Sequence, residues 1–159
     1  MMSYRINKTA IFQTEDDPLS QSVSTTYLEP TGSRVKLRFS GSTANIYYKY
    51  SFYAYQASTS PFFLHCKLQK SNDNFVSDIE DVAGCHFNFS GDTEESPSDD
   101  QYQSINAMFI ISACDKRHLR LFVRSYSADT AATLHRSTQW DGSTSADVYY
   151  NPSCIAMEV

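Results

Sequence analysis

Between Asn45 and Tyr55 the chain reads NIYYKYSFYAY, and neither two-residue phase of this stretch is purely polar. One phase holds Tyr48, Tyr50, Phe52 and Ala54; the other holds Tyr47, Lys49, Ser51, Tyr53 and Tyr55. Aromatic and β-branched residues favour extended chain, and successive side chains of a strand point to opposite faces of its sheet. The pattern therefore predicts a strand that wants cover on both faces. One cover expected is the domain's own core and the other a second copy of the protein, and periodicity alone leaves open which phase faces the core. INAMFIIS repeats the pattern, with Ile105, Ala107, Phe109 and Ile111 in one phase and Met108 and Ile110 in the other.

Other stretches alternate more cleanly. RVKLRF places Val35, Leu37 and Phe39 on one side and Arg34, Lys36 and Arg38 on the other, which predicts a half-buried strand with a basic outer face. FFLHCKLQ places Phe62, Leu64, Cys66 and Leu68 inward and Phe63, His65, Lys67 and Gln69 outward. Cys85, Phe87 and Phe89 alternate with His86, Asn88 and Ser90. In HLRLFVRSY, Leu119, Leu121 and Val123 turn inward, and Arg120, Phe122, Arg124 and Tyr126 outward. Ala131–Ser137 reads as a strand containing Leu134, and the ending CIAMEV as a strand with Ile155, Met157 and Val159 on one side, tying the C-terminus into a sheet.

Between these lie the breakers. Pro30 and Gly32 suit a turn after an extended Thr25–Leu28, Asp115 and Lys116 suit a hairpin turn, and Asp141 and Gly142 centre a long turn. Val76, Ile79 and Val82, spaced by three, predict a helical turn or an irregular crossing within Ser71–Ala83. Residues 1–22 read as an N-terminal strand or arm, with Ile6, Ala10 and Phe12 alternating before the acidic Glu15, Asp16, Asp17 and Pro18. No sustained 3.6-residue apolar spacing occurs. Eight or so short strands separated by turns predict an all-β, antiparallel two-sheet sandwich or jelly roll forming a single domain over 1–159.

Composition narrows the function. Aromatics make up 14% of 159 residues, with only five Gly and five Pro, so the chain has the core formers of a folded domain. A net charge of −5 with dispersed Lys and Arg argues against nucleic acid as a partner, since phosphate binding needs a basic patch. No apolar run of membrane-spanning length occurs, and MMSYRINKTAIF lacks the apolar stretch of a signal peptide; no membrane association and synthesis in a cytoplasm are expected.

The candidate chemistry is thin. Cys66, Cys85, Cys114 and Cys154 have no close spacing, which favours free buried thiols over disulfides or zinc. His65–Cys66 and Cys85–His86 are chain neighbours that point to opposite faces of a strand, so one metal cannot take both members of either pair. The acidic loop with Asp92, Glu94, Glu95, Asp99 and Asp100 lacks EF-hand spacing and reads as solvated carboxylates, with calcium as the alternative. Asn7-Lys8-Thr9 and Asn88-Phe89-Ser90 match the glycosylation triplet, but no secretory route is legible. No acyl-transfer, phosphate-cradling or zinc-protease motif is present, so no catalytic residue and no cofactor is assigned; a carboxylate pair of the glycosidase kind would have to meet in space.

That leaves the second apolar phase. Tyr47, Tyr53, Tyr55, Met108, Ile110, Phe122 and Tyr126 are expected to form a subunit interface, the alternative being cover by a loop or the N-terminal segment of the same chain.

The order SVSTTYLEPTGSRVKLRFSG, an aromatic strand, SINAMFIIS, LRLFVRSYSADTAATLHRS and the close YYNPSCIAMEV resembles the small jelly-roll modules of the tumour-necrosis-factor and complement-C1q type. It is similar in particular to versions in virion proteins of marine and cyanobacterial phages, over about Ser22–Val159. It departs from the animal members in having no collagen-like stalk. The resemblance implies a homotrimer with aromatic strands about a three-fold axis and loops displayed outward. The expected role is a capsid decoration (cement) protein on the outside of a phage head, with the major capsid protein as partner and Arg34, Lys36 and Arg38 as candidate capsid contacts. A fibre tip that binds host glycan through exposed Tyr and Trp140 is the alternative, and a glycan-cleaving enzyme the third reading.

Overall fold

In the computed structural model, residues 6–9, 20–39, 41–56, 62–91, 101–127, 132–140 and 145–159 are described. They form twelve strands: β1 (Ile6–Thr9), β2 (Gln21–Val23), β3 (Val35–Lys36), β4 (Ala44–Gln56), β5 (Phe62–Ser71), β6 (Glu80–Gly91), β7 (Gln101–Cys114), β8 (His118–Ser125), β9 (Ala132–Leu134), β10 (Arg136–Trp140), β11 (Ser145–Tyr149) and β12 (Ser153–Glu158). All pairings are antiparallel and no helix occurs among the described residues, so the chain is all-β, as its alternation predicts.

The aromatic stretch is β4, and the first sheet is built on it. Its one edge pairs with β7 from Ala44 to Gln56. Its other edge is shared end to end by β12, opposite Ile46–Ser51, and β9, opposite Ala54 and Tyr55. β1 then lies outside β12 and β2 outside β9. The second sheet has the order β3-β8-β5-β6, and β10 and β11 form a separate ribbon.

The two sheets pack through one core. Tyr48, Tyr50, Phe52 and Ala54 face Leu64, Cys66, Leu68, Leu119, Leu121 and Val123, so the first phase of β4 is the buried one. The buried phenols are satisfied by the turn beneath them, Tyr48 Oη donating to the Ser33 carbonyl and Tyr50 Oη to that of Thr31, both at 2.6 Å. That turn closes with Ser33 N–H on the Pro30 carbonyl, and Gly32 supplies the positive φ of 75° that it needs. Truncating a ring in this layer, as in Phe52→Ala, would cost about 3–5 kcal/mol through lost burial and the cavity left behind.

Several expectations change in three dimensions. Asp115 and Lys116 do not close a hairpin: β7 pairs with β4 and β8 with β5, so their link carries the chain from one sheet to the other. Ser71–Ala83 holds no helical turn. Asp73 gathers the backbone N–H groups of Val76, Ser77 and Asp78 onto its carboxylate, and Val76 and Ile79 project into solvent while Phe75 takes the buried place. The apolar spacing of three there is not a core stripe. RVKLRF keeps its alternation, but only Val35–Lys36 is paired as strand. The N-terminal strand is present as β1, whereas Ala10, Phe12, the acidic stretch 15–18, the loop 92–100 and the turn at Asp141 and Gly142 lie outside the described residues.

Candidate functional site

The outer face of the first sheet follows from its register. Met157, Tyr47 and Ile110 lie side by side across β12, β4 and β7, and the next row is Ile155, Lys49 and Met108. The row beyond is polar, with Ser153, Ser51 and Asn106, and Ser51 Oγ donates to Asn106 Oδ1 at 2.7 Å. Tyr47, Ile155 and Met157 are half-buried, but Met108 is 56% and Ile110 71% exposed. The two-faced strands therefore put an apolar patch at one end of a sheet, and no described residue covers Met108 and Ile110. Further along β4, Tyr53 packs on Tyr150, with ring centroids 4.7 Å apart.

β7 is also an edge. Among the described residues its fourteen residues pair only with β4, and β6 pairs only with β5. Unpaired backbone along a strand edge is a template for further association. The two edges lie on the same side of the sandwich, where Phe87 and Phe109 meet at 5.9 Å. There a cleft of about 290 Å³ opens between Gly84, His86 and Phe87 of β6 and Asn106, Met108 and Phe109 of β7. The pairing is irregular at this point: the six residues from Asp81 to His86 of β6 lie opposite the three from Lys67 to Gln69 of β5, and Gly84 takes a φ of 73°.

The seven expected interface residues do not form one patch. Tyr47, Tyr53, Met108 and Ile110 share the outer face of the first sheet, whereas Phe122 and Tyr126 stand on the outer face of the second. Tyr55 is on the outer face of the first sheet as well, opposite Tyr102, but it is covered there. It is 7% exposed, covered by Tyr102 with ring centroids 4.9 Å apart and by the Arg136 guanidinium 3.8 Å above its ring. The end of β4, where β9 joins its edge, has a cover of its own.

On the second sheet the outer rows are Phe63 beside Ser90, then Arg124, His65 and Asn88, then Phe122, Lys67 and His86. Tyr27 is brought onto this face because Leu28 exchanges two backbone hydrogen bonds with Val123. Its hydroxyl lies 2.6 Å from His65 Nδ1, and Lys67 and Arg124 sit 4.5 and 4.7 Å from its ring centre. Burial and the neighbouring Arg124, His86 and Lys67 lower the pKa of His65. Tyr27 carried no distinguishing sign in the sequence, since only a pairing with a residue far along the chain places it here.

The basic row is not uniform. Lys36 and Arg38 are exposed, but Arg34 donates through Nε and Nη2 to the Glu29 carboxylate at 2.8 and 2.6 Å and reaches Asn74. Glu29 also takes Arg120, whose guanidinium is nearly buried between the rings of Phe75 and Phe122 and donates twice to Gln69. Arg34 is thereby part of an internal cluster, and Lys36 and Arg38 are the members of the row that solvent reaches.

Thiols and carboxylates are the groups that metal or acid–base chemistry would use. The four cysteines are free and buried, and burial pushes the Cys66 thiol up to about 12 and that of Cys154 to about 11, away from the thiolate needed for ligation or attack. Among the described residues no group of three His, Cys, Asp or Glu side chains has metal-binding geometry. Asp78 and Glu80 are held below the ordinary carboxylate range by hydrogen bonds from Lys116, and Asp115 by one from Lys70. A glycosidase acid needs the opposite shift. Compared with known proteins, no protein-family model matches this chain and no curated protein matches it.

Proposed function

We propose that this protein is a non-enzymatic assembly module: a jelly roll that associates as a homotrimer and decorates the outside of a phage head by contact with the major capsid protein. The observation that carries the reading is the exposure of Met108 and Ile110 on a long edge strand, beside Tyr47, Ile155 and Met157. Apolar side chains grouped on a sheet face are seldom left wet, and Met and aromatic residues are enriched where subunits meet. Closed three-fold symmetry suits attachment at three-fold points of a lattice. The β4-centred sheet and its packing on β3-β8-β5-β6 are compatible with a jelly roll, and the phage context rests on the sequence resemblance. Lys36 and Arg38 supply exposed charge for a lattice contact; Arg34 is committed to Glu29.

Two measurements test this. Recombinant protein mixed with purified phage heads should co-sediment with them, and Lys36→Ala with Arg38→Ala should reduce the bound fraction without changing the oligomer. Protein that stays in the supernatant with every head preparation, while remaining trimeric, removes the decoration role and keeps the assembly.

A further inference from the structure

The outer face of the second sheet carries a combination that the assembly reading leaves unused. Tyr126 is 82% exposed and Phe63 38%, with their rings 6.2 Å apart. Tyr126 follows the last residue of β8 and donates its backbone N–H to the Phe63 carbonyl, and two residues back on β8 stands Arg124. Its side chain is exposed, its guanidinium is stacked over Tyr27, and it meets no carboxylate among the described residues. Arg34 and Arg120, by contrast, are both paired with Glu29. A guanidinium stacked on a ring is held flat while its N–H edge stays available for a carboxylate. His65 lies directly beside it across the sheet, so the charge at this spot is that of the guanidinium, in a chain whose net charge is −5.

We infer that Arg124, Tyr126 and Phe63 form a binding site for an acidic saccharide, whose carboxylate meets the Arg124 guanidinium and whose apolar ring face lies on Tyr126 and Phe63. Same-face residues of a strand are roughly 7 Å apart, about the span of one sugar ring from its carboxylate to its far edge. Aromatic rings receive the C–H face of a sugar by burying it, and the guanidinium confers the preference for an acidic over a neutral residue. Single-stranded nucleic acid is disfavoured. The two exposed rings are inclined at 58° and do not form a stacking platform, while the Tyr27 ring is already occupied by Lys67 and Arg124. The site lies on the opposite sheet from Met108 and Ile110, so it does not depend on the assembly proposal.

The test is titration of the isotopically labelled protein with trigalacturonic acid, with maltotriose and a short single-stranded DNA as competitors, followed by amide chemical shifts. The expected result is saturable shifts at Phe63, Arg124 and Tyr126 with the acidic sugar, weakened at least about tenfold by Arg124→Ala or Tyr126→Ala, which corresponds to one tenfold step in Kd. Arg124 and Tyr126 are exposed, so both variants fold, and unchanged spectra elsewhere verify it. No shifts at millimolar acidic sugar, equal response to maltotriose, preference for the DNA, or binding unaffected by both substitutions would each overturn the assignment. None of these outcomes bears on whether the protein is trimeric.

Discussion

His135 makes stability depend on pH in a way that can be worked out from its surroundings. It interrupts the chain between β9 and β10 with a φ of 69°, is fully buried, and has its backbone N–H on the Tyr53 carbonyl and its ring edge-on to Phe52. Its Nε2 lies 3.2 Å from Gln21 Oε1, and that oxygen already accepts from Thr31 N–H at 2.6 Å. Gln21 Nε2 donates in turn to the Glu29 carbonyl, so the amide orientation is fixed and His135 must donate through Nε2. Nδ1 is then the bare nitrogen, and it meets no partner among the described residues. Protonating it would bury an unpaired N–H with a charge, and burial accordingly lowers the pKa to about 4 from 6.5.

Because the folded state disfavours the proton, the unfolded chain binds more of it below pH 6.5. The contribution is full above 6.5 and is lost as pH falls toward 4, by about 3 kcal/mol at roughly 1.4 kcal/mol per pKa unit. The perturbation is His135→Asn, which removes the titration while tolerating the left-handed backbone. Urea unfolding from pH 8 to pH 4 measures both proteins. The difference in stability should be constant above pH 7 and shrink by about 3 kcal/mol on acidification, since other groups titrate alike in both. A difference that does not change with pH, or a ring titrating near 6.5 by NMR, would refute the reasoning.

Other predictions concern the interior and the exposed patch. Glu29→Gln should destabilise by about 3 kcal/mol in urea unfolding, chiefly by leaving the nearly buried Arg120 without its charge partner, and in an Arg120→Met background the same change should cost only the smaller part due to the more exposed Arg34 pair. Tyr48→Phe should cost about 1–2 kcal/mol, because the buried Ser33 carbonyl loses its phenol donor; a neutral result would show that another donor replaces it. Met108→Ser with Ile110→Ser should leave unfolding of the isolated subunit within about 0.5 kcal/mol while weakening self-association, which sedimentation velocity reads directly.

Local alternation was enough to read the strands that face water on one side. Among the described side chains, β5, β8 and the Val35–Phe39 segment keep their inner residues as expected, because period-two patterning records burial on one face, whereas Gln69 and Arg120, expected outward, are buried by their mutual contact and the Phe75 ring. For β4 the pattern showed that both faces matter but not which is core; that is settled by β12 and β7 presenting Ala156, Ala107 and Phe109 beside Tyr48 and Tyr50. The β7–β8 link was misread because turn residues report a change of direction and not the partner of the next strand. Glu29, Gln21, Tyr27 and His135 were invisible as a group for the same reason: β2 pairs with β9, and Leu28 with Val123, across about a hundred residues of chain. Tyr55 and Tyr53 look alike in sequence, yet Arg136 and Tyr102 bury only the first.

The central claim is self-association through the first sheet, and the solution mass across a dilution series tests it most directly. Light scattering should give about 54 kDa, three times the 18.0 kDa chain, down to micromolar concentration, and Met108→Ser with Ile110→Ser should lower it. A mass of 18.0 kDa at every concentration would contradict the account and leave Met108 and Ile110 exposed for some other partner.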